Sequence, residues 1–321
     1  MTAHPLPIGL AIPPERRAVV DVGTNSIKLL VADVIGNDVR PVHEESRQTR
    51  LGKGFYETRR LQPESVACTA EAVWDFANTA REKNAASIRV IATSAARDAV
   101  NPGDLTSAIE RACGLKVEII SGEREAELVF QGVTTDPELA KSPLLLLDVG
   151  GGSTEFIVGG GREKHFAHSF PLGTVRLMEK FPHSDPPARA EFNDCRDWLK
   201  HFLRAEVRPQ VKPALKNEAG EILLVGTGGT TSILARVENK LDRFDREKIE
   251  RTVLDFDQLV AHRKKLWRLP LEERKEIPGL PKLRADVILT GVLIYEMVMQ
   301  EFGFRQLRVS TRGLRFAAVM E

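Results

Sequence analysis

Runs of apolar residues that end in glycine-rich turns are the main pattern along this chain. The first run, residues 18–22, is followed by a short turn and by a second apolar stretch over 26–34. Residues 144–148 and 154–158 repeat this arrangement around a turn of three glycines. A continuous apolar run bounded by a glycine turn is typical of a buried strand. Each of the two stretches therefore predicts a pair of antiparallel strands joined by a tight turn.

Helical spacing of apolar residues fills most of the segments between the strands. The pattern predicts a helix over 122–133 with Ser121 as its N-cap, and a loop over 93–99. Residues 1–17 hold four prolines and predict a mobile tail. Further strands are expected at 38–47, 88–92, 117–120, 165–172 and 307–309, and further helices from 63, 102, 173 and 187 and over 255–266, 283–302 and 313–320.

The two strand-turn-strand stretches match position by position. Asp21 corresponds to Asp148, and the glycine and serine that follow each aspartate also correspond. A third stretch runs from an apolar strand at 222–225 into a Gly/Thr-rich loop. Two similar units far apart predict two similar domains that offer phosphate loops to one cleft. The candidate phosphate-binding residues of the two matched loops are Thr24, Asn25, Ser26, Gly150, Gly151, Gly152 and Ser153.

Two carboxylates flank the second loop. Asp148 ends a buried strand, where a charge is costly unless it is paired or bound to a metal. Glu155 follows seven residues later on the neighbouring strand, and its alternative role is that of an ordinary solvent-facing strand residue. Mg²⁺ takes one or two protein carboxylates and completes its shell with water and phosphate oxygens. We therefore predict a Mg²⁺ (or Mn²⁺) site at Asp148 and Glu155, with Asp21 as a further candidate ligand.

Composition narrows the class of protein. The 321 residues are 42% hydrophobic and 28% charged, as expected for a globular protein with room for two cores. A net charge of +1 argues against a general nucleic-acid binder. No apolar run reaches membrane-spanning length, and no signal-peptide pattern is present. Because the three cysteines are isolated, we expect free thiols in a cytoplasmic protein. The net charge and the short apolar runs predict that it binds neither nucleic acid nor membrane.

The two aspartate-glycine loops resemble the phosphate loops of the actin / sugar kinase / Hsp70 superfamily. Within it, the order of the motifs is similar to that of the exopolyphosphatase / guanosine pentaphosphate phosphatase family, from about residue 18 to the end. The resemblance implies an α/β protein of two actin-like (ribonuclease H-like) domains, 1–136 and 137–321, with a phosphate-binding cleft between them. The final helix, about 313–321, is expected to pack back on the first domain. The stretches that carry the resemblance are 21–26, 93–99, 120–126, 148–155 and 284–286.

The same resemblance implies a reaction and its residues. Glu125 occupies the position of the family's catalytic glutamate, which makes it the candidate general base. The third glycine stretch resembles the superfamily's nucleotide loop, which adds as phosphate-binding candidates Gly228, Gly229 and Thr230. Arg97 resembles the family's phosphate-binding arginine, although by itself it would equally suit a surface arginine paired with Asp98 or Glu110. Water would attack the terminal phosphorus of inorganic polyphosphate and release orthophosphate, with a divalent metal offsetting charge.

Several alternatives stay open at this point. Guanosine pentaphosphate is an alternative substrate, and a homodimer is an additional expectation. A small-molecule kinase of the same superfamily would need a deprotonating aspartate and a firm adenosine pocket. A non-catalytic sensor of polyphosphate or nucleotide would be expected to lack the catalytic glutamate, whereas Glu125 is present.

Overall fold

A computed structural model describes residues 13–321. Residues 1–12 of the predicted tail lie outside the described part. The rest of that prediction is wrong, because residues 15–17 already belong to the first strand, where they pair with the second.

The first half of the described chain forms one sheet with helices around it. Its five strands lie in the order β3-β2-β1-β4-β5, with β1 antiparallel to β2 and parallel to β4. In chain order the elements are β1 (Glu15–Val22), β2 (Ser26–Ile35), β3 (Asp38–Gln48), α1 (Phe55–Thr58), α2 (Pro63–Glu82), β4 (Ser87–Ala92), α3 (Ser94–Asp98), α4 (Pro102–Cys113), β5 (Val117–Ile119) and α5 (Gly122–Val133).

The second half repeats the central arrangement. Its six strands lie in the order β10-β11-β9-β6-β7-β8, with β6 antiparallel to β7 and parallel to β9. The elements are β6 (Leu144–Val149), β7 (Thr154–Gly160), β8 (Glu163–Phe170), α6 (Thr174–Lys180), α7 (Arg189–Phe202), α8 (Arg208–Asn217), β9 (Leu223–Thr227), α9 (Gly228–Glu238), α10 (Arg246–Glu250), β10 (Val253–Asp255), α11 (Phe256–Arg268), α12 (Leu271–Lys275), α13 (Ile288–Phe302), β11 (Gln306–Val309) and α14 (Leu314–Ala318). Short 3₁₀ turns occur at Leu139–Lys141 and Lys282–Arg284, and a π-helical turn, Leu203–Val207, joins α7 to α8.

Helices α5 and α14 lie between the two sheets. Ala126 of α5 and Phe316 of α14 share one apolar cluster with Val19 of the first sheet and Leu146 of the second. Arg315 of α14 also donates a hydrogen bond to the carbonyl of Leu29 in β2, at 2.7 Å. The last helix thus contacts the first sheet, and the domain boundary near residue 136 stays a prediction.

Three predicted elements are wrong in detail. The expected loop at 93–99 contains helix α3. The third glycine stretch is not a loop, because β9 leads directly into the first turn of α9 at Gly228. The helix expected from 283 begins only at Ile288, since a 3₁₀ turn comes first and the Asp286 carboxylate accepts the N–H of Val287 at 2.9 Å. No helix within residues 13–321 is long and apolar enough to span a lipid bilayer.

Candidate active site

The cleft between the sheets holds nearly all of the predicted site residues. A cavity of about 80 Å³, here called the inner cavity, is lined by both phosphate loops and by the candidate acidic residues. Of the predicted set, only Arg97 and Gly228 lie outside its lining. The predicted residues that line it are Asp21, Thr24, Asn25, Ser26, Glu125, Asp148, Gly150, Gly151, Gly152, Ser153, Glu155, Gly229 and Thr230.

The two loops have the same backbone geometry. The N–H of Gly23 donates to the carbonyl of Ser26 at 3.1 Å, and the N–H of Gly150 donates to the carbonyl of Ser153 at 2.9 Å. The second loop also lies against the first, because a Cβ at Gly151 would come within 2.9 Å of the Thr24 Cβ. Glycine is therefore required there by close approach, and the loops form one continuous wall of the cavity.

Several polar groups in this wall lack a partner. Three buried atoms form no hydrogen bond with any residue from 13 to 321: Asn25 Nδ2, Ser26 Oγ and Ser94 Oγ. A buried donor without a partner costs free energy, so such groups are usually satisfied by a ligand or by water. Three donors beside two glycine turns suit the oxygens of a phosphate.

Four carboxylates, which we call the acidic cluster, face the inner cavity: Asp21, Glu125, Asp148 and Glu155. Asp148 lies directly opposite Glu155 across β6 and β7. Burial raises the pKa of Glu155 well above its usual range, and repulsion from Glu125 and Asp148 raises it further. Burial likewise raises the pKa of Asp21 and of Asp148, although attraction to Lys28 opposes this. The Glu155 side chain is only 1% exposed, so the alternative of a solvent-facing strand residue is wrong.

Glu125 is held by Arg97. Arg97 Nη1 donates to Glu125 Oε2 at 2.8 Å and to the carbonyl of Ile120 at 3.2 Å. The surface-arginine alternative is wrong, because the main partner is Glu125 and Asp98 lies farther away, at 3.7 Å. Burial raises the pKa of Glu125 to about 7 even though Arg97 opposes the shift.

The helix that carries Glu125 is the one the sequence predicted. Ser121 Oγ accepts the N–H of Arg124 at 3.2 Å, which confirms the N-cap. Glu125 turns into the cleft, whereas Glu127 pairs with Arg124 at 2.9 Å and its side chain is 40% exposed. Glu125 therefore differs from the neighbouring glutamate of the same helix in being buried on the face that lines the cleft.

Two cations were missed by sequence reasoning. Lys28 lies opposite Asp21 across β1 and β2 and lines the inner cavity. Burial lowers its pKa, while Asp21 and Asp148 raise it. Arg284 also lines the cavity, and burial lowers its pKa to about 10. Lys28 could have been found from the sequence, because it is a charged residue near the start of the otherwise apolar strand β2. Arg284 belongs to the stretch 284–286, which carries the family resemblance, but no role was predicted for it.

The donor set fits a magnesium-type cation. Within residues 13–321 no three His, Cys, Asp or Glu side chains converge closely enough to hold a metal by themselves. Asp148 and Glu155 nevertheless offer two adjacent carboxylates whose ionised forms are disfavoured by burial. Mg²⁺ is commonly held by one or two carboxylates together with phosphate oxygens and water. A cation there would also relieve the repulsion within the acidic cluster.

A second cavity opens next to the first. It has a volume of about 380 Å³ and shares Asp21, Lys28, Asp148 and Arg284 with the inner cavity. We call it the outer cavity. Its remaining wall is partly apolar, and Phe244 and Leu283 are 47% and 65% exposed there. A ligand whose end occupies the inner cavity therefore has room to extend into the outer one.

Comparison with known proteins identifies the family. The Ppx/GppA phosphatase family matches over residues 30–320. The chain is similar to exopolyphosphatase 2 of Mycobacterium tuberculosis, with 34% identity over 314 residues that cover 93% of this chain and 96% of that protein. It is 29% identical to exopolyphosphatase 1 of the same organism over 309 residues, covering 95% and 87% of the two chains.

Solved structures agree with this assignment. An exopolyphosphatase from Cytophaga hutchinsonii has a TM-score of 0.84 at 28% identity, covering 94% of this chain and 96% of that one. The Aquifex aeolicus member of the Ppx/GppA protein family has a TM-score of 0.77 at 29% identity, covering 96% and 97%. The predicted two-domain actin-like fold and the family resemblance are both confirmed. The chain therefore belongs to the Ppx/GppA phosphatase family and is a phosphoanhydride hydrolase.

Proposed function

We propose that this protein is an exopolyphosphatase that removes terminal orthophosphate from inorganic polyphosphate with the help of Mg²⁺ (or Mn²⁺). The observation that carries the proposal is the position of Glu125. It faces the same small cavity as two glycine loops and the carboxylates Asp148 and Glu155, and it is paired with Arg97. Relatives named exopolyphosphatase at 34% and 29% identity support the choice of substrate.

The terminal phosphate would lie against the loops. Its oxygens would take hydrogen bonds from Asn25, Ser26 and the N–H groups of residues 151–153, which are preorganised by the turn that the Gly150 N–H closes. Lys28 and Arg284 would neutralise the phosphate that follows, because both line the shared part of the two cavities. Asp148 and Glu155 would hold the metal, which supplies positive charge against the transferred phosphoryl group when bound.

Glu125 would act on the attacking water. Phosphoryl transfer through a loose transition state depends mainly on position and charge neutralisation, so a moderate base is sufficient. A pKa of about 7 suits a group that accepts a proton near neutral pH. Arg97 would keep its hydrogen bond to Glu125, at 2.8 Å, while another nitrogen of the guanidinium donates to the terminal phosphate, so that Glu125 stays oriented toward the water. The P–O bond to the next phosphate breaks, and orthophosphate leaves with the oxygen of that water.

One assay tests the proposal and its rivals. Orthophosphate release is measured from polyphosphate in the presence of Mg²⁺ and without any acceptor molecule. We expect steady release that stops in excess chelator. Release that depends on an added acceptor would favour a kinase, and binding of polyphosphate without release would favour a sensor. A cytoplasmic location and a homodimer stay predictions from the sequence.

Guanosine pentaphosphate is the second candidate substrate. The outer cavity favours it, because its volume of about 380 Å³ and its apolar side at Phe244 and Leu283 suit a nucleoside better than a bare phosphate chain. The discriminating measurement is kcat/KM on tripolyphosphate, long-chain polyphosphate and guanosine pentaphosphate. If the nucleotide occupies this cavity, Phe244→Ala lowers kcat/KM on guanosine pentaphosphate and leaves tripolyphosphate hydrolysis unchanged.

A further inference from the structure

A serine on the neighbouring strand donates a hydrogen bond to Glu155. Ser169 of β8 lies directly opposite Glu155 of β7, and its Oγ donates to Glu155 Oε1 at 2.7 Å. One oxygen of the carboxylate is thus held by this bond, and Glu155 lines the inner cavity.

The other side of Ser169 lies against the helix that carries Glu125. A Cβ placed on Gly122, the first residue of α5, would lie 2.6 Å from the Ser169 Cβ and 3.1 Å from its Oγ. Real side chains do not approach so closely, so the absence of a side chain at residue 122 allows this contact. Ser169 therefore touches both the candidate metal ligand and the start of α5.

From these contacts we propose that Ser169 is a positioning residue. Its hydroxyl holds Glu155 in the orientation that receives a divalent metal, and its contact with Gly122 sets the distance from Glu155 to helix α5. The inference rests on the proposed function, because it takes Glu155 as a metal ligand. A donor on Oε1 matters because Glu125 and Asp148 line the same cavity and repel the ionised carboxylate of Glu155.

The first experiment measures metal binding to the substrate-free protein. Mn²⁺ is titrated into wild type, Ser169→Ala and Glu155→Gln, and free Mn²⁺ is followed by electron paramagnetic resonance. Removing the hydrogen-bond partner of a metal ligand typically weakens binding about 10–100-fold, which is the loss expected for Ser169→Ala. Ser184→Ala is the matched control, because Ser184 Oγ makes the same kind of bond to Glu191 Oε2, at 2.8 Å, on an exposed surface. It should bind Mn²⁺ as wild type does.

The outcomes separate the two proposals. Wild-type Mn²⁺ affinity in Ser169→Ala, together with weak binding in Glu155→Gln, would overturn the role of Ser169 and keep the metal site. Wild-type affinity in Glu155→Gln would overturn the metal site and with it this inference. Circular dichroism of each variant establishes that it is folded.

A second experiment tests the contact with Gly122. Gly122→Ala should lower kcat by pushing α5 away from Ser169, while Mn²⁺ affinity stays within about twofold because the hydroxyl remains. In the double variant Gly122→Ala/Ser169→Gly the obstructing Cβ is gone, so kcat at saturating Mn²⁺ should recover relative to Gly122→Ala. Mn²⁺ binding should stay weak, since the hydroxyl is absent. A double variant no faster than Gly122→Ala would show that the contact does not set the position of α5.

Discussion

Replacing Glu125 by glutamine isolates the proposed general base. Glutamine keeps the volume of the side chain and can still accept the hydrogen bond from Arg97, but it cannot accept the proton of the attacking water. General-base assistance typically contributes about 10²–10⁴-fold, so we expect kcat to fall by that factor with little change in KM. The loops, Asp148 and Glu155 are untouched, which is why substrate and metal binding should persist.

The variant should fold at least as well as wild type. Burial raises the pKa of Glu125 from its usual value near 4.5 to about 7, so the ionised form is disfavoured in the folded protein. The stabilisation from the neutral carboxyl is present below about pH 4.5 and is lost as pH rises through about 7. Glutamine resembles the neutral form at every pH. Above pH 7 it should therefore stabilise the protein, by up to about 3 kcal/mol from this shift.

The assay is orthophosphate release at saturating Mg²⁺, with chemical denaturation at pH 6 and pH 8 as the second measurement. Glu127→Gln is the matched control on the same helix, because Glu127 pairs with Arg124 outside the cleft and its side chain is 40% exposed. It should show nearly wild-type kcat. Glu125→Gln with most of its activity retained would refute the role of Glu125, and loss of activity in Glu127→Gln instead would show that the base lies on the other helix face.

The acidic cluster and the cations beside it should make both activity and metal binding depend on pH. In wild type, kcat/KM should rise with pH through about 7 and then level off, because Glu125 must be ionised to accept a proton; a pH–rate profile that is flat from pH 5 to 8 would contradict this. Arg97→Gln removes a cation that lowers the pKa of Glu125, so the rising limb of that profile should move to higher pH while KM increases. If the limb does not move, the ion pair with Arg97 does not control the pKa of Glu125. Mn²⁺ should raise the melting temperature more at pH 8 than at pH 5. Burial raises the pKa of Asp148 and of Glu155, and a cation binds these carboxyls only when they are ionised. An equal rise in melting temperature at both pH values, measured by calorimetry, would count against the two residues as ligands.

Local patterns determined the elements that build the site. Two apolar runs with glycine turns gave the paired strands of both halves, since alternation and turn chemistry depend on neighbouring residues alone. Ser121 gave the start of α5 for the same reason, because an N-cap is a contact across three residues. The internal match of Asp21 with Asp148 predicted two similar domains, and the structure has one sheet around each of the matched turns.

The contacts that decide the chemistry were set by tertiary structure. Arg97 and Glu125 are 28 residues apart, and they meet because α3, which follows β4, lies beside the first turn of α5. Lys28 enters the acidic cluster through the register of β2 on β1, and Ser169 reaches Glu155 through the register of β8 on β7. Burial of the acidic cluster, which displaces the pKa of each carboxylate, arises when the two sheets enclose the cavity. Sequence spacing carries no information on desolvation or on long-range register, so these properties required the folded chain.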